Sequence, residues 1–185
     1  MIIAGIDYSM TNPCLCIYNG DIFSFSNCRF FYQTANQKYI GNYQNIIGIS
    51  IPEYSHPIER FQNLAKCFIE IIQKNKCTYV AIEDYSMGSS AGRIFHIAEN
   101  TAILKYHLYE LKIPYVTIPP KSIKKFAIKG NADKELMYET FLKEEKVKLK
   151  EKLNYTASKV GSPISDIVDS YYITKYLFKG NVNVV

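Results

Sequence analysis

The sequence predicts an α/β fold: a mixed five-stranded sheet, with an antiparallel meander followed by parallel strands, and helices on both faces. Asn19 and Gly20 separate two strand-like runs, which is a strong hairpin signal because both residues tolerate positive φ. Later in the chain, strand-like runs alternate with helical periodicity, as in parallel strands joined by helices. At 185 residues, 48% of them hydrophobic, the chain has the size and core of one domain, residues 1–185.

The first part of the chain supplies the meander and one helix. An apolar run at 2–8 predicts a buried strand, and the segments CLCIYNG and IFSFSNCRFF predict the next two. Residues 32–55 are rich in Tyr, Asn and Gln and lack periodicity, so we expect a long loop there, with a short strand around Ile46–Ile51. Pro57 fits the first turn of a helix. The apolar stripe of that helix comprises Ile58, Phe61, Leu64, Phe68 and Ile71 or Ile72.

The later part of the chain alternates strands and helices. CTYVAIEDY predicts the fourth strand and PYVTI the fifth, with a helix over about 93–111 between them. The basic stretch that follows is helical but interrupted at Gly130-Asn131, and we expect Asn131 to cap the helix that begins at Ala132. A Ser-Pro pair suits the cap and first turn of the last helix, which is expected to span 162–178.

The composition narrows the class of protein. Lys and Arg outnumber Asp and Glu by 22 to 17, and this net charge of +5 favours a polyanionic partner. No stretch is long and apolar enough to cross a membrane, and the N-terminus enters a strand without the pattern of a signal or transit peptide. The five cysteines lack a paired CxxC spacing, which argues against a zinc site. These features predict a cytoplasmic protein.

Four carboxylates stand where core elements begin or end. Asp7 and Glu83 end runs of apolar and β-branched residues. Asp166 and Asp169 are three residues apart at the start of a helical segment, so they share one helix face. Burying acidic groups is costly unless a cation gathers them, and hard divalent cations prefer such oxygen ligands. Clustered carboxylates also repel one another, so we expect at least one raised pKa.

Each of these acids also has a simpler explanation. An Asp at a strand end, such as Asp7, is often only a turn former, and Asp166 near a helix start is more commonly a capping residue. Alternation along YVAIEDY favours Glu83, while the adjacent Asp84 remains a candidate for a supporting role. Asp169 is harder to explain away, because its helix must pack against the sheet.

Together these segments resemble the RuvC-type Holliday junction resolvases of the ribonuclease H-like superfamily. The resemblance extends over nearly the whole chain. Each matching segment alone is weak evidence for the family, but the order and placement of the four segments together are more specific. Its parts are GID at the N-terminus, AIE in the fourth strand, IKKFAIKGNADK before the final helices, and the closing SDIVDSYYI. It implies a ribonuclease H-like sheet and a structure-selective endodeoxyribonuclease.

The resemblance also implies the chemistry of the site. The enzyme would cut four-way DNA junctions by paired nicks that leave 5′-phosphate ends, using two Mg²⁺ ions, with Mn²⁺ as a substitute. Asp7 would bridge both ions, Glu83 and Asp169 would each bind one or complete the shell, and Asp166 would hold or tune the second. All four are therefore expected to be catalytic and metal-binding, with Asp166 the most distant from the ions.

Basic and aromatic residues are the candidates for DNA contact. The resemblance implies that Lys124 and Lys134 lie against phosphates. Tyr85, and also Tyr8, are placed to stack on exposed bases. The lysines at 143–152 alternate with Glu, which predicts a solvated face with internal ion pairs. The remaining candidates have only Asp133 nearby as a counter-charge and are Lys121, Lys125 and Lys129.

Some features depart from the family. Its first Asp is often followed by a small pair, whereas here Tyr8 comes next, and the phenylalanine that wedges into the junction matches Ser86, with Tyr85 or Met87 as possible substitutes. The loop at 32–55 is longer than in the bacterial enzymes. With a composition rich in Tyr, Ile, Asn and Lys, typical of an AT-rich genome, these departures favour a phage or viral source.

The expected assembly is a homodimer. A four-way junction has approximate two-fold symmetry and two coordinated nicks need two active sites, so we expect a C2 dimer. The helix at 93–111 carries more apolar residues than one buried stripe needs, which makes it the candidate interface. These residues are Ile94, Ile97, Ala98, Thr101, Ile103 and Leu104.

Three other functions stay open. A flap or replication-fork nuclease of the same fold would use the same carboxylates and differ only in the DNA shape it prefers. An actin-like kinase also opens with GID before a Ser or Thr, but that fold needs a far longer chain and a Gly-rich adenosine segment that is absent here. An inactive DNA-binding relative is disfavoured because all four carboxylates are present.

Overall fold

A computed structural model of the chain describes residues 1–85 and 91–181. These residues form one mixed sheet of seven strands in the order β4-β5-β3-β2-β1-β6-β7. The strands are β1 (Ile3–Asp7), β2 (Cys14–Tyr18), β3 (Cys28–Thr34), β4 (Gly41–Tyr43), β5 (Ile46–Ser50), β6 (Tyr79–Glu83) and β7 (Tyr115–Ile118). The helices are α1 (Pro57–Lys74), α2 (Ala91–Glu110), α3 (Pro120–Ala127), α4 (Lys134–Glu145), α5 (Leu149–Lys152) and α6 (Ile164–Phe178). No helix within the described residues is long and apolar enough to cross a membrane.

The predicted α/β class and mixed sheet are confirmed, but the predicted number of five strands is wrong. The additional strands come from residues 32–55, which were expected to form mainly a loop. β5 confirms the short strand expected there and pairs in parallel with β3, while β4 pairs antiparallel with β5. β4 has only three residues, too few for a recognisable alternation, so the sequence did not predict it.

The predicted hairpin across Asn19-Gly20 is confirmed in its antiparallel pairing, but its connection extends well beyond these two residues. Tyr18 faces Cys28 in the register of β2 and β3, so the connection between these strands is longer and includes a 3₁₀ turn at Phe25–Asn27. Phe25 is buried in this turn, where its ring stacks on Phe30 at 5.0 Å between centroids. Because the Phe25 ring is buried by the turn, residues 25–27 do not join the strand, and β3 begins only at Cys28.

Helices cover both faces of the sheet, as predicted. Side chains alternate along β1, so Ala4 and Ile6 pack with α1 and α2 whereas Ile3 packs in the layer of α4 and α6. α1 buries most of its predicted stripe, through Phe61, Leu64, Phe68 and Ile72. Ile58 is the exception, since its side chain is 48% exposed.

The last helix lies directly on the first strand at Gly5. A Cβ atom at this position would lie 2.4 Å from Thr174 Oγ1 and 2.5 Å from the Thr174 backbone nitrogen. Ser170, one turn before Thr174, donates a hydrogen bond of 3.3 Å to Cys14 Sγ on β2. The absence of a side chain at Gly5 therefore allows the close approach that fixes α6 over β1.

The segment before the last helix differs from the prediction in its cap. Asp133, and not Asn131, caps α4, because Asp133 Oδ1 accepts a hydrogen bond of 2.9 Å from the Leu136 backbone N–H. α4 accordingly begins at Lys134, two residues later than expected. Both residues are good caps, and the sequence alone did not show which one has the extended backbone that a cap requires.

Candidate active site

The four predicted carboxylates converge at one edge of the sheet. β1 and β6 run in parallel with Ile6 beside Ile82, so the next residues, Asp7 and Glu83, end the two strands side by side. By the alternation along each strand, both carboxylates project toward the layer that contains α6. Asp166 and Asp169 occupy the first turns of α6, whose contact with Gly5 brings them over this edge.

Three of these side chains border a cleft with a volume of about 690 Å³. Asp7, Glu83 and Asp169 line the cleft, whereas Asp166 does not. Asp84 also lines it, but alternation directs its side chain away from the layer of α6, and its Oδ1 accepts a hydrogen bond of 2.9 Å from the Tyr85 N–H. The geometry therefore favours Glu83 over Asp84 as a member of the cluster.

Burial raises the pKa of every acid in the cluster, and repulsion between carboxylates adds to the rise at Asp7, Glu83 and Asp169. Burial, reinforced by the charges of neighbouring carboxylates, raises the pKa of Glu83 to about 8 and that of Asp169 to about 7. The pKa of Asp7 is raised well above its ordinary range by the same two causes. Lys124 and Lys134 counteract these shifts at Glu83 and Asp169. The expected rise in pKa is thus found at more than one site.

Asp166 lies behind the cleft in a hydrogen-bonded position. Its side chain is 5% exposed, and its Oδ1 accepts a hydrogen bond of 3.1 Å from Ser165 Oγ. Lys134 Nζ in turn donates to the same Ser165 hydroxyl at 3.2 Å. The other oxygen, Asp166 Oδ2, is buried and has no hydrogen-bond partner among the described residues. Sequence reasoning did not single out Ser165, which connects the lysine to the acid.

The structure separates the predicted DNA-contact residues into two groups. Lys124 and Lys134 line the cleft together with Tyr85, whose ring has Lys105 Nζ 5.3 Å from its centroid. Ser86 and Met87, considered for junction opening, lie outside the described residues. Tyr8 lines the cleft but is 5% exposed, so little of its ring is available for stacking. The predicted lysines that are exposed and do not line the cleft are Lys121, Lys125 and Lys129.

The donor set suits a hard divalent cation. Asp7, Glu83 and Asp169 offer only carboxylate oxygens, and the unpartnered Asp166 Oδ2 lies beside them in the cluster. In the described part of the chain, no three acidic, His or Cys side chains are already spaced to enclose a metal ion. Cation binding would therefore draw together carboxylates that otherwise repel one another.

Arg60 is a site residue that sequence reasoning missed. From α1, its Nη2 donates a hydrogen bond of 2.7 Å to the carbonyl of Met10, in the loop that follows Asp7 and lines the cleft. Its Nη1 donates to Tyr54 Oη at 3.2 Å, and its guanidinium lies 5.1 Å from the centre of that ring. These bonds hold the loop after β1 in place. Arg60 is fifty residues from Met10 in the chain, so no local pattern signalled the contact.

Without divalent cations, the protein should lose stability as the pH rises. In the folded state Glu83 keeps its proton up to about pH 8, whereas in the unfolded chain the same carboxyl group loses its proton near pH 4.5. The folded state therefore binds more protons than the unfolded chain between these two pH values. The free energy of unfolding in EDTA should therefore fall by about 1–3 kcal/mol between pH 5 and pH 8. Urea unfolding in EDTA at a series of pH values measures this free energy. A stability that stays constant or rises with pH would contradict the proposed cluster.

Comparisons with solved structures identify the fold. No protein-family model and no curated protein matches the sequence. The structure is similar to RuvC from Thermus thermophilus, with a TM-score of 0.62 and 14% identity over 100% of both chains. It is also similar to the yeast mitochondrial Holliday junction resolvase Ydc2, with a TM-score of 0.57 and 15% identity over 93% of this chain and 75% of that one.

A third similar structure is a viral protein. The Fowlpox virus resolvase, solved in complex with substrate Holliday junction DNA, has a TM-score of 0.51 and 14% identity over 99% of this chain and 100% of that one. The Thermus thermophilus RuvC has likewise been solved in complex with Holliday junction substrate. The predicted resemblance to RuvC-type resolvases is thus confirmed in the fold, which all of these proteins share with the chain.

Proposed function

We propose that the chain is a metal-dependent endonuclease that resolves four-way DNA junctions. The observation that carries the proposal is the convergence of Asp7, Glu83 and Asp169 in one cleft beside Lys124 and Lys134. The chain shares its fold with a RuvC and a viral resolvase that were each solved with Holliday junction DNA. A cleft lined by both carboxylates and lysines suits a divalent cation together with a phosphodiester.

The residues of the cleft have distinct parts in this proposal. Asp7, Glu83 and Asp169 would hold Mg²⁺, with Mn²⁺ as a substitute. When bound, two such ions would activate the attacking water and stabilise the leaving 3′-oxygen, giving 5′-phosphate ends. Lys124 and Lys134 would bind phosphate oxygens and orient the strand. Asp166, held by Ser165, would keep the first turn of α6 in position and complete the negative charge around the ions.

We further propose that the protein works as a C2 homodimer through α2. Two members of the predicted interface are excluded from that role, because Thr101 is 3% exposed and Leu104 is fully buried against the protomer's own core. The outer face of α2 instead presents large exposed rings. Phe95 is 69% exposed, Tyr106 58% and Tyr109 74%. This face supports the choice of helix while changing the residues that would form the contact.

Replacing Lys134 by Ala should weaken junction binding and reduce its salt dependence. Lys134 lines the cleft, and loss of one phosphate contact lowers the slope of log K against log salt by about 1. Titrations of labelled junction at several salt concentrations measure both quantities. Lys66→Ala, which removes an exposed lysine from α1 on the other face of the sheet, is the matched control and should leave the slope unchanged. Equal slopes for the two variants would exclude Lys134 from phosphate binding.

A panel of branched substrates tests the proposed specificity. Static four-way junctions, flaps, forks and linear duplex of the same sequence are compared at equal concentration in Mg²⁺. The proposal predicts paired, symmetric nicks in the junction and much slower cutting of the others. If flaps or forks were cut as fast as the junction, the protein would instead be a nuclease of broader specificity for branched DNA.

A further inference from the structure

The β4–β5 hairpin, together with the 3₁₀ turn at Gln37–Tyr39 that precedes it, forms a joint surface with the segment 149–160. The rings of Tyr39 and Tyr155 stack across the boundary, with centroids 5.9 Å apart and an angle of 25° between their planes. Lys38 Nζ donates a hydrogen bond of 3.0 Å to Thr156 Oγ1, and Lys152 Nζ donates to Gln44 Oε1 at the turn between β4 and β5. Side chains from both segments thus hold the hairpin in a fixed position.

This surface, which we call the hairpin platform, is basic. It carries Lys38, Lys150, Lys152 and Lys159. Lys150 Nζ donates to the carbonyl of Ser158 at 2.9 Å, two residues along the chain from Thr156, whose hydroxyl Lys38 contacts. Within the described residues, none of these four lysines has a carboxylate within 4.0 Å.

The glutamates that alternate with lysines at 143–152 do not neutralise the platform. Glu144 pairs with Lys175 on α6. Glu145 accepts hydrogen bonds from the Phe25 backbone N–H and the Tyr171 hydroxyl, so it is engaged in the fold. Glu151 alone pairs within the segment, with Lys148 at 2.9 Å. The predicted face of internally paired charges is therefore wrong for most of these lysines, and the platform keeps its positive charge.

The platform is continuous with the catalytic cleft. The Val160 backbone N–H donates to Glu135, which follows the cleft residue Lys134 on α4. From Val160 the chain passes directly to the start of α6, where Asp166 lies. The strand order places β5 and β4 three and four strands from β1, which at about 4.8 Å per strand is about 14–19 Å from Asp7. At about 3.4 Å per base pair, this distance corresponds to about four to six base pairs of duplex.

We propose that the hairpin platform binds the phosphate backbone of a duplex arm, several base pairs away from the phosphodiester held in the cleft. The proposal rests on the proposed function, since the cleft defines which DNA enters. Duplex DNA is the occupant favoured here because the platform adjoins the cleft and its four lysines have no carboxylate within 4.0 Å among the described residues. A row of lysines engaging successive phosphates adds affinity and salt dependence without reading sequence.

The test compares two double variants of equal charge. Lys38→Gln with Lys159→Gln removes two platform charges, and Lys66→Gln with Lys74→Gln removes two exposed charges from α1 on the opposite face. The platform variant should lower the salt slope of junction binding by about 1.8 and the affinity at low salt by about tenfold. The control variant should match the wild type, and both should cleave saturating junction at the wild-type rate. Lys150→Gln with Lys152→Gln repeats the test from the other segment if the first pair fails to fold.

The possible outcomes separate the platform from the cleft. If the wild type cuts junctions but both platform pairs keep its salt slope, the platform does not bind DNA and the proposed function stands. If the platform pairs lose binding to a polyglutamate probe but not to DNA, the surface fits an acidic protein and the proposal is overturned. If the wild type neither binds nor cuts junctions, the proposed function itself fails.

Discussion

Replacing Asp169 by Asn is expected to reduce junction cleavage by at least about 10²–10³-fold while leaving junction affinity unchanged or higher. Asp169 lines the cleft beside Asp7 and Glu83, and a neutral amide oxygen holds a divalent cation far less well than a carboxylate. Removal of one negative charge also lessens repulsion of the DNA backbone, so binding does not suffer. Single-turnover cleavage and equilibrium binding, measured on the same labelled junction, separate the two effects.

The neighbouring acid Asp84 provides the matched control for this variant. It lines the same cleft, but its carboxylate bonds to the adjacent backbone N–H and alternation turns it away from α6. Asp84→Asn should therefore reduce cleavage by less than about tenfold. Two results would show that the cluster has been assigned to the wrong carboxylates. One is an Asp169→Asn variant that still cleaves the junction, and the other is an Asp84→Asn variant that is as impaired in cleavage as Asp169→Asn.

Replacing Gly5 by Ala is expected to destabilise the protein by about 3 kcal/mol and to impair cleavage as well. The new Cβ would lie 2.5 Å from the backbone nitrogen of Thr174, and a backbone atom in the middle of a helix cannot move aside as a side chain can. α6 would have to shift away from β1, which moves Asp169 relative to Asp7. Urea unfolding measures the loss of stability, and cleavage at a temperature where the variant remains folded measures the displacement.

Gly130→Ala is the control for the substitution at Gly5. A Cβ at Gly130 would meet its nearest atom, the Lys121 carbonyl oxygen, at 3.6 Å, which is ordinary contact. Its stability should stay within about 0.5 kcal/mol of the wild type. If Gly5→Ala were equally mild and equally active, the close packing of α6 on β1 would not be what positions the carboxylates.

The carboxylate cluster could be predicted because each member lies at the end of an element with a strong periodic pattern. Asp7 and Glu83 close two apolar strands, and parallel pairing of those strands brings their ends together. The start of α6 was predicted to within two residues by the Ser-Pro pair before it. Regular local patterns and a simple rule of strand pairing are sufficient to predict these features from the sequence.

Other features depend on contacts between distant residues and left no local signal. β4 is too short to show alternation of its own and is held by pairing with β5 and by the stacking of Tyr39 on Tyr155. The bond from Arg60 to the carbonyl of Met10 joins a helix to a loop that precedes it by fifty residues. The choice of Glu83 over Asp84, by contrast, came from alternation together with the family resemblance, and in the structure Glu83 lies beside Asp169 whereas Asp84 bonds to the Tyr85 N–H.

The most direct test is incubation of the protein with labelled four-way junction and with linear duplex of the same sequence, each in Mg²⁺ and in EDTA. A metal-dependent junction nuclease should cut the junction in Mg²⁺ at paired positions with 5′-phosphate ends. It should leave the linear duplex largely intact and cut neither substrate in EDTA. Cleavage of the junction in EDTA, or no cleavage of a junction that the protein binds in Mg²⁺, would contradict the proposed function.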